Sequence, residues 1–582
     1  MRENGKYKKK FGGKKIFARS AVICILAVIV CSSVILGLAA QDTGATVNVT
    51  ANAPEYVLGT FNASIAIDSI TGFNSGQFDL SFDSSVVNVT GVANGSLDSE
   101  TIQVDNWEFV DSNTIRVFLD VSGVAGVNGS GNLVTISFAV LGLGGDRSVL
   151  SVSDGLLKDI ESKEILAVWV DDEVIVGPVG VEVNAPELVD AGGSFTATID
   201  VLDDVANFNM AVFNLSFDSS VVKVTNVTEG SLDGTAVPIA SWDLIDSNTI
   251  KVMSELSGVT GVNGSGNLAT INFAVLGIGG DRSVLEISDA MLANNKAREI
   301  PTTLVNVAVI VGPVKVAVNA SELVDAGGSF TATIDVVEDV ANFNMALFDL
   351  SFDSSVVNVT DVTAGSLDGT AVPITSWELV DSGTIKIMCE LSGVTGVNGS
   401  GNLATINFAV LGIDGDRSVL EISDAMLANN KAEEIPTTLV NDEVIVGPVK
   451  VAVNAPELVD VGGSFTAAID VLEDVANFNM ALFDLSFDSS VVNVTDVTAG
   501  SLDGTAVPIT TWEFIDSDTI KVMCELSGVT GVNGSGNLAT ISFDVVGKSG
   551  DKSVLELSNG MLANNEADEI PAEWVADEVT LS

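Results

Sequence analysis

One segment of this chain returns at a fixed spacing of 135 residues, and that spacing limits the fold more than any other feature. The heptapeptide SFDSSVV begins at Ser81, Ser216, Ser351 and Ser486. A tryptophan returns at Trp107, Trp242, Trp377 and Trp512, and the string VNGSGNL places its first asparagine at Asn128, Asn263, Asn398 and Asn533. Such a unit is too long for a solenoid repeat and has the size of an independent domain. The chain therefore reads as four homologous domains, the third and fourth almost identical and the first the most diverged.

Within a unit the pattern is that of strands. Apolar and polar residues alternate over short runs, as in Phe195-Thr-Ala-Thr-Ile-Asp-Val and Phe213-Asn-Leu-Ser-Phe, the period of a half-buried strand. Turn signals separate the runs: Ala191-Gly-Gly-Ser, Asp218-Ser-Ser, Asp246-Ser-Asn and Asn263-Gly-Ser-Gly-Asn. Eight or nine strands fit into each unit, and no long amphipathic helix follows residue 40. The expectation is an all-β array of sandwiches or jelly rolls at 46–177, 180–312, 315–447 and 450–582. The units meet at Gly177-Pro178, Gly312-Pro313 and Gly447-Pro448 with no spacer, which predicts a semi-rigid rod.

Residues 1–40 form a separate address. Eight basic residues between Arg2 and Arg19 precede an uninterrupted apolar run from Ala21 to Ala40. A basic flank before such a run marks export. The run is long enough to span a bilayer, while Gly37, Ala39 and Ala40 offer a cleavage site. Cleaved signal and retained membrane anchor are both open, and either places the rest at the cell surface or in the medium.

Charge and missing residue types exclude several functions. The chain has 25 Lys+Arg against 78 Asp+Glu. Removing the basic segment and its one acid, Glu3, leaves 17 against 77. That surface repels nucleic acid, whose phosphates need clustered basic residues. There is no histidine, hence no Ser-His-Asp triad, no imidazole base and no His-ligated zinc. Cys24 and Cys31 sit in the apolar run. Cys389 and Cys524 occupy one repeat position, held by Ser254 in the second repeat, and read as small half-buried strand residues rather than disulfide or metal partners. Neither a cofactor nor an enzymatic role is expected. Glycoside hydrolysis needs two carboxyls across a cleft, and near-copies of a sandwich without long insert loops provide none.

Several stretches in fixed order resemble the cohesin domain family. In the second repeat they are Leu215-Ser-Phe-Asp-Ser-Ser-Val-Val-Lys-Val, the run Val224 to Gly230, Gly266-Asn-Leu-Ala-Thr-Ile-Asn-Phe-Ala-Val, and Ser283-Val-Leu-Glu-Ile through Met291-Leu-Ala-Asn-Asn. The resemblance covers nearly all of residues 46–582, four times over. It departs from the family in reading Asp-Ser where Asp-Pro is usual, and in its short junctions. It implies a jelly roll of about nine strands, one sheet face of which binds a dockerin on another secreted protein. The chain would then be a surface scaffold, with polysaccharide degradation as one setting. The fold is shared with cellulose-binding modules, so carbohydrate binding, adhesion or a structural envelope stalk remain alternatives.

The resemblance also implies binding positions. An acidic residue closes one strand as Asp120, Glu255, Glu390 and Glu525, and a glycine follows as Gly123, Gly258, Gly393 and Gly528. An amide pair on an earlier strand is Asn207 and Asn209, Asn342 and Asn344, Asn477 and Asn479, with Asn74 alone kept in the first repeat. The pair fits the family only with two extra residues before the turn. Plain solvent-facing strand positions are the competing reading. The lone tryptophan per unit reads as packing at a sheet edge rather than a sugar platform. Acid clusters such as Asp203-Asp204 and Asp171-Asp172-Glu173 lack the spacing of a calcium loop and read as solvated charge. The recurring sequons at Asn128, Asn263, Asn398 and Asn533 are glycosylation candidates on an expected exposed loop.

Overall fold

The computed structural model describes residues 46–582 except 122–124, 259, 394 and 529. The N-terminal basic and apolar segment, with its signal or anchor reading, lies outside the described residues. Four separate hydrophobic cores follow one another along the chain, within 47–176, 179–311, 314–446 and 449–581. The described residues are strands and turns, and no helix among them is long and apolar enough to cross a membrane.

The second repeat shows the pattern. Its strands are β1 (Val179–Asn184), β2 (Leu188–Val189), β3 (Ser194–Ser216), β4 (Val222–Leu232), β5 (Thr235–Val237), β6 (Ile239–Leu244), β7 (Thr249–Glu255), β8 (Val262–Val275), β9 (Arg282–Asn294), β10 (Glu299–Ile300), β11 (Thr302–Val305) and β12 (Val307–Val311). Nine of these have four residues or more, which is the jelly-roll count. Strand β3 belongs to both sheets. Its first half pairs with β1 and β8, and its second half, from Phe208, with β7 and β9. Register shifts at Ile199/Asp200, Val201/Val205 and Val205/Phe208 bend it between the two, as bulges do. The back sheet runs β11-β1-β3-β8-β4-β5 and the front sheet β2-β12-β9-β3-β7-β6.

Between the sheets the alternating residues close a dry core. Phe208, Phe213 and Phe273 are fully buried, each worth about 1.5–3 kcal/mol relative to exposure. Phe195 stacks on Phe273 with centroids 5.0 Å apart, and Phe217 meets the same ring edge-on at 5.7 Å. Asp218, directly after Phe217, makes its turn without proline. Its Oδ1 accepts from the Ser220 amide (2.9 Å) and hydroxyl (2.6 Å), and its own N–H donates to the buried Ser283 Oγ (2.9 Å). Those donors hold the Asp218 carboxyl below its usual range.

Two sequence expectations are corrected here. The string Asn263-Gly-Ser-Gly-Asn is not a turn or an exposed loop but the start of β8. Its glycines answer a close approach: a Cβ on Gly266 would sit 2.5 Å from the Ser231 carbonyl oxygen, at a φ of +136°. Cys389 and Cys524 are fully buried rather than half-buried. Burial pushes both thiols up to about 12.

Successive repeats touch directly. Gly144 of the first bridges in parallel to Val205 of the second. Its N–H donates to the Asp204 carbonyl (2.8 Å), and its carbonyl accepts from Ala206 (2.9 Å). The same bridge joins Gly279 to Val340 and Asp414 to Val475. Beside it, Arg147, Arg282 and Arg417 donate to the carbonyls of Glu299 (3.4 Å), Glu434 (2.8 Å) and Glu569 (2.7 Å) in the following repeat. The Gly-Pro links themselves are cis.

Candidate functional site

The front sheet turns one face to the core and the other to solvent. On β7, Ile250, Val252 and Ser254 are buried, which sends Thr249, Lys251, Met253 and Glu255 outward. Cross-strand pairing arranges the outward residues in rows. Met253, Val212 and Met291 form one row across β7, β3 and β9; Glu255 and Met210, with the buried Ala293 beside them, form the next. The third repeat repeats them as Met388–Leu347–Met426 and Glu390–Met345–Ala428, the fourth as Met523–Leu482–Met561 and Glu525–Met480–Ala563. All nine methionines after Met1 lie in these rows. Each patch is a flat apolar strip closed at one end by a carboxylate.

The first repeat differs. Its rows read Phe118–Gln77–Leu156 and Asp120–Ser75–Lys158. With Ser75 where the others have methionine, a shallow pocket of about 260 Å³ opens, lined by Ser75, Gln77, Phe118, Asp120, Leu156 and Lys158. Farther along the sheet Arg116 grips Asp79 with two hydrogen bonds of 2.6 and 2.8 Å. Lys386–Asp349 (3.4 Å) and Lys521–Asp484 (3.8 Å) are looser counterparts, and Lys251 faces Asn214 in the second repeat.

The structure divides the sequence candidates. Asp120, Glu255, Glu390 and Glu525 are exposed at the strip's end. Gly258, Gly393 and Gly528 lie in the exposed loop beyond, with φ of +118°, +126° and +136°; Gly123 lies outside the described residues. Asn209 leans toward that loop, its Nδ2 donating to the Gly258 carbonyl at 3.4 Å, as Asn344 and Asn479 do to Gly393 and Gly528. Asn207, Asn342 and Asn477 stand apart from the flat face. They occupy the bend of β3 in the left-handed region, φ about +50°, a conformation asparagine tolerates better than most residues. Their N–H groups donate to Asn263, Asn398 and Asn533 Oδ1 at 2.7 Å. In the first repeat Gly72 makes the equivalent bond to Asn128, and Asn74 takes the place of Asn209. The sequon asparagines therefore clamp the bend of β3.

Other candidates resolve into packing and local bonding. Trp107, Trp242, Trp377 and Trp512 are half-buried against the cores. Trp242 pairs with buried Val252, so its ring turns inward from β6. Asp203 accepts from the Gly180 N–H (2.9 Å), Asp204 from Ser265 (2.7 Å), Asp171 from Ser151 and Val152, and Asp172 from Ala53. Among the described residues no group of three or more acidic or thiol side chains converges as a metal cage. The sequence reading missed the methionines, although three at fixed places in each of the last three repeats, in a chain otherwise without them beyond Met1, was a visible signal.

The cohesin domain family matches residues 45–176, 179–311 and 314–446. Among curated proteins, Cellulose-binding protein A of Clostridium cellulovorans is 23% identical over 550 residues, covering 86% of this chain. The chain spans 28% of that relative's length. Among solved structures, a non-cellulosomal cohesin from the archaeon Archaeoglobus fulgidus is 21% identical, covering 23% of this chain and 93% of its own, with a TM-score of 0.20. A type II cohesin dyad from an adaptor scaffoldin of Acetivibrio cellulolyticus is 14% identical, covering 46% and 98%, with a TM-score of 0.20. A type I cohesin–dockerin complex from Clostridium thermocellum is 18% identical, covering 24% and 100%, with a TM-score of 0.20.

Proposed function

The chain belongs to the cohesin domain family, and from that membership we propose that it is a surface or secreted scaffold whose repeats hold dockerin-bearing proteins on their front sheets. The observation that carries this reading is the methionine strip, present on three successive front sheets and ended each time by Glu255, Glu390 or Glu525. A docked helix would bury the strip, and the carboxylate would orient it. Methionine suits such a face because its flexible thioether adapts to a partner's contour. The partners would be gathered along a short rod, since each repeat is bonded to the next. A relative named for cellulose binding makes polysaccharide-acting enzymes the partners to try first.

Titration of the isolated second repeat, residues 178–312, with purified dockerin modules tests the reading; the repeat has its own closed core. Met253→Ala and Glu255→Ala should each weaken binding by about 1–3 kcal/mol while the fold persists. Trp242→Ala should lower stability first. If Met253→Ala and Glu255→Ala bind like wild type, while a folded Trp242 variant loses affinity for polysaccharide, carbohydrate binding replaces dockerin binding.

A further inference from the structure

The three joints share one backbone plan but not one residue. Gly144 and Gly279 make the bridge in the first two, packed so closely that a Cβ on either would collide with a methyl of Val179 or Val314. The third joint has Asp414 there. Of the two backbone bonds at each glycine joint it keeps one, the Ala476 N–H donating to its carbonyl at 2.6 Å. Its side chain, 2% exposed, is thereby sealed into the joint, and its Oδ2 meets no donor among the described residues. A buried carboxylate with a bare oxygen is costly as an anion.

Across the joint stands a second acid. In the second and third repeats the carboxylates of Asp203 and Glu338 accept the Gly180 and Lys315 N–H groups of their own repeats. The equivalent residue of the fourth repeat, Glu473, lies within hydrogen-bonding reach of Asp414. The charged groups acting on Asp414 are Glu473, from the fourth repeat's long strand, and Asp325, from the turn before its own repeat's long strand. Both are acidic and exposed, so ionising the buried Asp414 adds a third negative charge beside them.

We propose that a protonated Asp414 donates to Glu473 across the joint between the third and fourth repeats, so that this joint alone is tight in acid and loosens as pH rises toward neutrality. The sign follows from which form the closed joint prefers. Burial first, then the hydrogen bond and charge of Glu473, raise the Asp414 carboxyl from 3.8 to about 7. The closed joint thus binds a proton that the open joint releases. Closure is fully favoured below the ordinary carboxylate range, weakens from there to about 7, and stays weak above. The relative placement of the last two front sheets, and of whatever they carry, would then depend on pH.

Hydrogen exchange of the full chain, read as protection factors between pH 5 and 8.5, contains its own controls. Ala206 and Ala341 report the glycine joints and Ala476 the aspartate joint. Protection at Ala476 should fall by about tenfold or more across that range, with Ala206 and Ala341 unchanged. Asp414→Gly, which restores the residue of the other joints, should abolish the trend. Glu473→Gln, whose amide donates to an ionised Asp414, should also abolish it and keep the joint closed at high pH. The proposal fails if Ala476 tracks the two controls, or if the trend survives in Asp414→Gly. It also fails if closure at high pH depends on added calcium and is lost with a chelator, which would replace the proton with a bridging cation.

Discussion

Ser254 shows how a single atom separates near-identical repeats. It is fully buried on β7, and its Oγ has no partner among the described residues. At the same place the third and fourth repeats carry Cys389 and Cys524. The thiol of Cys389 lies 3.8 Å from the Ala346 carbonyl, a weak contact that suits a weak donor. A hydroxyl without a partner keeps its desolvation cost and gains nothing, whereas a thiol behaves as a small apolar group. Ser254→Cys should therefore stabilise the second repeat by about 1–2 kcal/mol, read as a higher urea midpoint at unchanged slope for residues 178–312. A lower midpoint would mean that the hydroxyl is satisfied in solution. The repeat position was legible from the alignment of Ser254 with the cysteines. The full burial was not, because one small residue on an alternating strand has the same pattern on either face.

Strands with period-two alternation were the most legible elements, since a half-buried strand writes its two faces directly into the sequence. Hidden was the continuity of β3 through both sheets. Its bend depends on Asn207 taking a left-handed φ and on Asn263 holding the Asn207 amide from another strand. Neither residue announces that contact across 56 positions of sequence, so the asparagines read as a docking pair and a sequon loop. The glycines of the β8 string misled for a related reason. Glycine signals a turn, yet here it also admits a neighbouring backbone: Gly266 faces the Ser231 carbonyl, and Gly230 on β4 faces the Asn267 carbonyl of β8. Gly266→Ala should combine an unfavourable φ with a steric conflict against backbone that cannot swing aside. A loss of about 1–3 kcal/mol is expected, measured by denaturant unfolding of the isolated second repeat. Stability equal to wild type would show that β4 and β8 separate at little cost.

At the scale of the whole molecule, four sandwiches with one topology are joined end to end, but they do not present one surface. The tight joints were legible as Gly-Pro links without spacers; their arginine-to-carbonyl bonds between repeats were not, because Arg147, Arg282 and Arg417 look like ordinary strand-edge charges. The fourth repeat has Ser549 and Lys552 where the joints have Gly144 and Arg147, and Lys552 pairs with Glu578 of its own repeat. The front sheets divide differently. Repeats two to four share the methionine strip, with an alanine (Ala293, Ala428 or Ala563) in the acidic row. The first repeat replaces the strip's centre with Gln77, opens a pocket at Ser75, and places Lys158 in the row of Asp120. A partner shaped to cover methionines would leave Gln77 without its water, and would meet the Lys158 charge where the other repeats have only a buried alanine. An unpaired buried polar group costs about 1–3 kcal/mol, and a buried unpaired charge more. Two such mismatches suffice for roughly a hundredfold or greater discrimination. Isolated first and second repeats should therefore select different dockerin modules. In a competition titration, excess first repeat should fail to displace a module bound to the second, while isolated third and fourth repeats should displace it fully. Changing Ser75→Met, Gln77→Val and Lys158→Ala together should move the first repeat into the same competition group. Full displacement by the unmodified first repeat would show that these rows do not set partner choice, and that the carboxylate they share must.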